Sequence, residues 1–253
     1  MQFRIEKTTI TVNQPDRASL LGAVAGRWRA GQGFALATLN LDHLVKLRRS
    51  AVFRSAYAAQ DLVVADGNPV VWLSRLARRP VALVPGSELV LPLARLATDC
   101  GVTVALLGST DATLQAAAKH MRHAVPGLQI VLCLAPPMGF DPEGPQAQEM
   151  LAQVAASGAR LCFLALGAPR QEQLAALGRR LAPGVGFVSV GAGLDFLAGT
   201  QVRAPVWVRR LALEWLWRMV SNPRRLAGRY AACAAILPAE VAKALAQRPR
   251  AAP

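Results

Sequence analysis

Short apolar runs of strand length recur along the chain and alternate with longer stretches of helical length and composition. The apolar runs are Phe34–Thr38, Leu62–Ala65, Val102–Leu107, Leu128–Leu134, Leu161–Leu166 and Gly186–Val190. The stretches that predict helices are Asp42–Tyr57, Ser87–Cys100, Asp111–Ala124, Pro145–Ala156 and Pro169–Leu181. Apolar strands that alternate with helices predict an α/β fold with a mostly parallel sheet covered on both faces. In such folds ligands bind at the carboxyl ends of the strands.

The pattern changes near residue 200. The segment Val206–Ser221 predicts an amphipathic helix with Trp215 and Trp217 in its wide apolar arc. Its polar stripe comprises Arg210, Glu214, Arg218 and Ser221. Asn222-Pro223 then interrupts the chain before a basic cluster. We therefore expect a core over residues 1–200 and a basic, helical C-terminal appendage over residues 201–253, whose last seven residues form a loose tail.

The composition is that of a folded protein in a reducing compartment. Of the 253 residues, 53% are hydrophobic and 17% are charged, which excludes intrinsic disorder. The four cysteines, Cys100, Cys133, Cys162 and Cys233, form no CxxC pair, so we expect them to be small buried hydrophobic residues. The first residues resemble no secretory signal, and charged or polar residues interrupt every long apolar run. We expect neither secretion nor a transmembrane segment.

The positive charge is concentrated near the end of the chain. The net charge is +14, and residues 203–253 contribute +8 through ten basic and two acidic residues. This excess indicates an anionic partner, which charge alone leaves open among nucleic acid, an anionic membrane and a phosphate-bearing substrate.

Two polar motifs follow predicted strands. Thr38 and Asn40 are suited to binding a sugar or phosphate, although Asn40 or Asp42 can equally cap the next helix. Asp66-Gly67 places a carboxylate at the end of a strand beside a flexible residue, which suits a general base but also a plain turn.

Glycine turns follow three other strands. After Leu161–Leu166, Gly167 ends the strand and Pro169 suits the first position of a helix, whose free amides favour a diphosphate. An ordinary strand-to-helix turn is the alternative. The turns at Gly108 and Gly191 lack a full dinucleotide fingerprint. A lone histidine pair, His120 and His123, indicates exposed residues and not a metal site.

Together these motifs closely resemble the WecG/TagA/CpsF family of bacterial glycosyltransferases, which form glycosyltransferase family 26. The matching motifs, over about residues 30–230, are Thr38-x-Asn40, Val64-Ala65-Asp66-Gly67-x-Pro69-x-Val71, Pro85-Gly86-Ser87-Glu88-Leu89, Gly167-x-Pro169-x-Gln171-Glu172, Arg203-Ala204-Pro205, Glu214-Trp215-x-x-Arg218 and Pro223-x-Arg225-x-x-x-Arg229-Tyr230.

The resemblance implies a Rossmann-like core and an inverting, metal-independent transfer without a cofactor. A sugar would move from a UDP-sugar donor to a saccharide on a polyprenyl diphosphate, in the synthesis of bacterial cell-surface polysaccharide. The enzyme would be cytoplasmic and peripheral on the inner face of the plasma membrane, bound to an anionic membrane surface and not to nucleic acid. A homo-oligomer is left open.

The resemblance also implies roles for individual residues. Asp66 would be the general base. The substrate-binding residues would be Thr38, Asn40, Gly67, Gly86, Gly108, Gly167, Pro169, Gln171, Glu172, Gly191, Asp195, Arg203, Arg218, Arg225 and Arg229. Among them, the appendage arginines at 218, 225 and 229 would approach the diphosphates.

The chain departs from the family pattern at two donor-side turns. Gly108-Ser109 stands where the family often has Gly-Gly, and Gly191-Ala192-Gly193-Leu194-Asp195 replaces the commoner Gly-Gly-x-Phe-Asp. Two other classes of protein stay open, a basic nucleic-acid-binding protein and a nicotinamide-dependent oxidoreductase. The apolar arc of the tryptophan-rich helix can also pack on the core or on another subunit.

Overall fold

A computed structural model describes residues 1–202, 204–205, 207–208 and 213–249, and for Arg218, Ser221 and Arg225 it describes the main chain alone. The strands are β1 Gln2–Ile5, β2 Thr8–Thr11, β3 Phe34–Leu39, β4 Leu62–Ala65, β5 Val104–Gly108, β6 Ile130–Leu134, β7 Leu161–Ala165 and β8 Gly186–Ser189. The helices of the core are α1 Arg17–Arg29, α2 Leu41–Arg49, α3 Ala51–Ala58, α4 Asn68–Leu76, α5 Gly86–Asp99, α6 Asp111–Ala124, α7 Pro145–Ala156, α8 Arg170–Leu181 and α9 Gly193–Ala198. The described part of the chain beyond the core includes the tryptophan helix Glu214–Ser221 and the C-terminal helix Pro223–Ala246.

The larger sheet has six strands in the order β4-β3-β8-β7-β5-β6. Every pair of neighbouring strands in it is parallel. All six predicted strands are present, with ends that differ from the prediction by at most two residues. The predicted α/β fold, a Rossmann-like parallel sheet with helices on both faces and a helical C-terminal appendage, is confirmed.

Both faces of this sheet are buried, which explains why its strands are apolar throughout. In β3, Phe34 and Leu36 join the hydrophobic cluster that α1, α5 and α6 cover. Ala37 and Leu39 belong to a different cluster, beneath α2, α3 and α4. Successive side chains of a strand point to opposite faces, so alternate residues of β3 serve the two layers of helices.

Several elements of the core differ from the prediction, and α1, α4 and α9 lie outside the predicted helical stretches. β1 and β2 form an antiparallel hairpin, which the sequence reading did not predict. The single helix predicted over Asp42–Tyr57 is two helices, α2 and α3. Ser50 separates them because its hydroxyl accepts a hydrogen bond from the amide of Phe53 at 3.1 Å and so caps α3.

The tryptophan helix is shorter than predicted. It begins at Glu214, and Leu213 is not helical. The amide of Leu213 donates to the carbonyl of Val208, five residues back, at 3.0 Å. Because an α-helix requires bonds that reach four residues back, one continuous helix over Val206–Ser221 is wrong. Residues 209–212 lie outside the described part of the chain.

The C-terminal helix packs on the core. It lies against α2 and α4, and Ala244 is fully buried there. The side-chain amide of Gln247 donates to the carbonyl of Gln2 at 2.7 Å, and Arg248 Nε donates to the carbonyl of Leu76 at 2.7 Å. The expected loose tail is therefore wrong for Gln247 and Arg248, which hydrogen bonds hold in place.

The cysteines are free, as the sequence predicts, but they are not all buried. Cys162 and Cys233 are buried and Cys133 is partly buried, whereas Cys100 is exposed at the end of α5. The expectation of burial is wrong for Cys100 because it follows the last turn of a surface helix. Among the described residues, no helix combines the length and the apolar character needed to cross a membrane.

Candidate active site

Most of the predicted site residues lie at the carboxyl edge of the six-stranded sheet. Parallel strands end on the same side, so the loops after β4, β3, β8, β7 and β5 meet along this edge. In that order the edge carries Asp66 and Gly67, Thr38 and Asn40, Gly191, the segment 167–172, and Gly108.

A carboxylate and a hydroxyl lie side by side at the ends of β4 and β3. Thr38 Oγ1 donates a hydrogen bond to Oδ2 of Asp66 at 3.3 Å. The amide of Asp66 donates to the carbonyl of Leu39 at 2.7 Å, which fixes the main chain beneath this pair. Gly67 has a φ of +119°, and the main chain would be strained if a residue with a side chain adopted this angle. The Asp66 side chain is partly exposed, so a substrate can reach it.

Asn40 is the cap of α2. Its side-chain oxygen accepts a hydrogen bond from the amide of His43 at 3.0 Å. The side-chain oxygen of Asn40 therefore caps the helix, as one of the two interpretations predicted. If Asn40 also contacts a substrate, as the other predicted, its side-chain nitrogen is the atom available.

Gly86 brings the start of α5 against the same edge. A Cβ at this position would lie 3.1 Å from Cγ2 of Thr38 and 3.3 Å from the carbonyl oxygen of Ser189. Both distances are tighter than ordinary contacts, so glycine allows α5 to approach β3 and β8. Because Gly86 has no side chain, the start of α5 packs directly beside Thr38.

The start of α8 differs in detail from the prediction. The helix begins at Arg170, so Pro169 precedes the first helical residue instead of occupying that position. Gly167 turns the chain there with a φ of +70°. The amide of Gln171 donates to the carbonyl of Gly167 at 3.2 Å, so this amide is already engaged. The positive end of the helix dipole still faces the carboxyl edge.

Gln171 joins the loops after β7 and β8. Its Oε1 accepts a hydrogen bond from the amide of Gly191 at 3.0 Å, and its Nε2 donates to Oε1 of Glu172 at 2.9 Å. The Glu172 side chain is completely buried. This predicted substrate-binding residue is therefore closed off from the surface of the edge, and its carboxylate contacts Gln171. Burial raises the pKa of the Glu172 carboxyl to about 7, against the smaller opposing effect of the hydrogen bond from Gln171.

Two buried polar rings lie beneath the edge, and the sequence reading missed both. His43 Nδ1 lies 3.3 Å from the hydroxyl of Tyr57. Burial, followed by the charge of Lys46, lowers the pKa of His43 to about 3, so the ring is neutral. Burial raises the pKa of the Tyr57 hydroxyl, and the negative charge of Glu172 raises it further. No spacing in the sequence relates these residues, because they come from different helices.

A chain of charges links the C-terminal helix to the edge. Arg229 Nε lies 3.2 Å from Oδ1 of Asp42, and Lys46 Nζ lies 2.9 Å from Oδ2 of the same carboxylate. Lys46 Nζ also donates to the carbonyl of Ala168 at 3.0 Å, in the loop before α8. Arg229 is thereby held near the predicted diphosphate site. Arg203 and the side chains of Arg218 and Arg225 lie outside the described residues.

Asp195 and Gly108 lie at the far side of the same edge. Ser109 follows Gly108 and donates from Oγ to Oδ1 of Asp195 at 2.8 Å. A cleft of about 350 Å³ opens between α5 and α9 nearby. Its lining includes Ser87, Glu88, Arg95, Gly193, Phe196 and Leu197.

The two histidines of α6, His120 and His123, are exposed, as predicted. Within the described ranges, no three His, Cys, Asp or Glu side chains are grouped so that they could hold a metal ion.

The comparison with known families agrees with the motifs. The model of the family described as Glycosyl transferase WecG/TagA/CpsF matches residues 5–251, nearly the whole chain. Membership implies a glycosyltransferase of cell-surface polysaccharide biosynthesis, which uses in general a sugar-nucleotide donor and a lipid-linked acceptor. The match includes all six strands of the sheet and both appendage helices. With the fold and the motif residues in agreement, this chain belongs to the WecG/TagA/CpsF family of glycosyltransferases.

Proposed function

We propose that this protein transfers a sugar, with inversion and without a metal ion, from a UDP-sugar to a saccharide carried on a polyprenyl diphosphate. The observation that carries the proposal is the partly exposed carboxylate of Asp66, held 3.3 Å from the hydroxyl of Thr38 at the carboxyl ends of β4 and β3. This is the place where α/β folds of this type bind their ligands.

Asp66 would act as the general base. The acceptor hydroxyl loses its proton to the Asp66 carboxylate while its oxygen attacks the anomeric carbon from the face opposite the diphosphate. The bond between that carbon and the diphosphate oxygen breaks, and UDP leaves with the electron pair. One displacement inverts the configuration. The hydrogen bond from Thr38 orients the carboxylate for this step.

Positive charge near the start of α8 would stabilise the departing diphosphate. The dipole of α8 places positive potential at Arg170 and Gln171, and Lys46 and Arg229 add two cations close by, against the one carboxylate of Asp42. These groups can balance the charge that develops on UDP in the absence of a metal ion. Arg203, Arg218 and Arg225 are proposed to contribute as well, on the strength of their positions in the family motif.

The tryptophan helix would bring the enzyme to its lipid-linked acceptor. This helix exposes large apolar side chains: Trp215 is 45% exposed, Trp217 40% and Val220 72%. Such a cluster of apolar side chains is stabilised when another apolar surface covers it. Arg224 is exposed just beyond them, in the basic part of the chain. Apolar insertion and attraction to anionic lipid reinforce each other at a membrane surface. We therefore place the enzyme peripherally on the inner face of the plasma membrane.

The first test is a transfer assay read by mass spectrometry. Purified protein is incubated with a panel of UDP-sugars, EDTA and short-chain prenyl-diphosphate-linked N-acetylglucosamine or glucose. We expect a product heavier by one sugar. No product from any donor, even with Mg²⁺ or Mn²⁺ restored and membranes added, contradicts the proposed donor and acceptor classes.

The role of Asp66 is tested with a matched pair of variants. Asp66→Asn should lower kcat by about 10²–10⁴-fold, the contribution typical of a general base. Asp99→Asn changes an exposed carboxylate at the end of α5, which leads to the amino edge of the sheet, and should retain wild-type turnover. A folded Asp66→Asn variant with normal turnover rules out this residue as the base.

A further inference from the structure

Ser109 has an unusual main-chain conformation for a residue with a side chain. Its φ is +47°, in the left-handed region that glycine adopts without strain. The preceding Gly108 has a φ of +126°, and a Cβ there would lie 2.4 Å from the carbonyl oxygen of Ala165. The chain therefore turns sharply at the end of β5, against β7. Glycine at position 109 would adopt this conformation without strain. Turn geometry alone therefore does not explain the serine, and we look for a role of its hydroxyl.

This hydroxyl is used in one hydrogen bond. Ser109 Oγ donates to Oδ1 of Asp195 at 2.8 Å, and this short bond joins the end of β5 to α9. The other carboxylate oxygen of Asp195 accepts from Nε2 of the exposed Gln201 at 3.3 Å, a longer contact that a ligand can replace. A carboxylate can accept about four hydrogen bonds, and Asp195 is partly exposed, so it retains capacity for a ligand hydroxyl.

Asp195 lies at the carboxyl edge of the sheet, where folds of this type bind their ligands. The cleft between α5 and α9 is lined from α9 by Gly193, Phe196 and Leu197, which share the face of the helix away from Asp195. A side chain on a short helix at this edge needs a fixed rotamer if it is to select one hydroxyl geometry. The bond from Ser109 supplies that restraint.

We propose that Ser109 is a positioning residue that orients the Asp195 carboxylate to accept a hydrogen bond from a hydroxyl group of the nucleotide-sugar donor. The inference rests on the proposed function, and it adds a residue that the family motifs do not include. The competing explanation is structural: the bond between Ser109 and Asp195 merely ties α9 to the sheet. The two explanations differ in how donor affinity relates to stability.

Two substitutions separate them. Ser109→Gly removes the hydroxyl and relieves the main-chain strain, whereas Ser109→Ala removes the hydroxyl and keeps the strain. Ser109→Gly should therefore unfold at a temperature a few degrees above Ser109→Ala. For a positioning residue, both variants should raise the donor KM, and the Kd for UDP or for the UDP-sugar measured by calorimetry, by the same factor of about tenfold. For a merely structural residue, the loss of affinity should follow the loss of stability.

A double-mutant cycle identifies Asp195 as the group through which Ser109 acts. In an Asp195→Asn background, Ser109→Ala should raise the donor KM no further, because the orientation it disturbs is already lost. Arg78→Gly relieves a similar φ of +55° at an exposed site after α4 and should leave KM unchanged.

An unchanged KM and Kd in both Ser109 variants, effects that track the unfolding temperature, or additive effects in the cycle would each overturn the inference. Comparing binding of UDP with that of the complete UDP-sugar shows whether the hydroxyl belongs to the ribose or to the transferred sugar. The binding measurements do not require turnover, so absence of transfer by the wild-type protein would count against the proposed function alone.

Discussion

The carboxyl edge of the sheet and the tryptophan helix differ in how far their side chains are already partnered. At the edge, Thr38 bonds Asp66 and Gln171 joins Glu172 to Gly191. On the tryptophan helix, Trp215 makes an edge contact with Tyr230 at 5.8 Å, but large parts of Trp215 and Trp217 remain exposed. The edge is organised before any ligand binds, whereas the helix has apolar area left for another surface. Chemistry and membrane contact should therefore respond to different substitutions.

The attachment of the appendage to the core should carry the largest effect on stability. Glu240 of the C-terminal helix is 3% exposed and pairs with Arg48 of α2 and with Lys243. Arg48→Ala leaves this carboxylate buried with one partner, so the free energy of unfolding should fall by about 3 kcal/mol. Urea denaturation measures the change. Arg49→Ala, at the exposed neighbouring position, should change it by less than about 0.5 kcal/mol, and equal effects of the two would contradict this account.

The edge should show its own dependence on pH through Glu172. The pKa of this buried carboxyl rises from 4.5 to about 7 in the folded protein. Because the folded protein binds the proton of Glu172 more tightly than the unfolded chain does, protonation of Glu172 stabilises the folded state. This contribution to the free energy of unfolding is fully present below pH 4.5 and is lost as the pH rises through 7. Relative to Glu172→Gln, the wild-type protein should lose up to about 3 kcal/mol between these limits. Urea denaturation at pH 5 and pH 8 tests this, and parallel pH profiles for the two proteins would disprove it.

The proposed membrane contact of the tryptophan helix should be separable from catalysis. Trp215→Ala combined with Trp217→Ala should lower binding to anionic vesicles by at least about tenfold, because about 1.5 kcal/mol or more of apolar burial is lost. Transfer to a short, water-soluble acceptor should persist. Trp72→Ala removes a tryptophan of α4 that is 47% exposed and serves as the matched control. Sedimentation with vesicles measures binding, and an equal loss in the control would mean that the surface is not specific.

Arg229 lies between the two regions and should have the smallest effect on stability. Its side chain is 41% exposed, so its ion pair with Asp42 contributes less than about 1 kcal/mol. Arg229→Ala should nevertheless raise the donor KM several-fold if this arginine approaches the diphosphate. Arg224→Ala, exposed on the same helix, should change neither quantity. If the donor KM is unchanged in Arg229→Ala, Arg229 does not bind the diphosphate, and its role is to join the C-terminal helix to the core.

The sequence predicts the central sheet well because each of its strands carries a local signal. Leu62–Ala65 is apolar throughout and ends at Asp66-Gly67, and the strand has these bounds. The helix at Asp111–Ala124 is also bounded as predicted, with Thr110 as its cap. Local composition is sufficient where burial on both faces and a turn signal coincide.

Features that depend on partners distant in the chain were not predictable. Glu172 stands in the first turn of a helix, where acids are usually exposed, but Gln60 packs over it and donates to its carbonyl at 3.1 Å. The pair of His43 and Tyr57 and the bond between Ser109 and Asp195 likewise join different elements. The family motifs identified the loops of the site, while these supporting contacts required three-dimensional structure.

The packing of the C-terminal helix has a consequence for the order in which the protein forms during synthesis. One hydrophobic cluster contains Met1 and Phe3 from the first hairpin and Ala244 from the last helix. A ribosome makes the hairpin first and must hold it, with part of its apolar surface uncovered, until the last helix emerges. The cluster around β5 and β7 has no such delay. We expect nascent chains that stall before residue 236 to expose the hairpin to chaperones and proteases, even though most of the sheet has already formed.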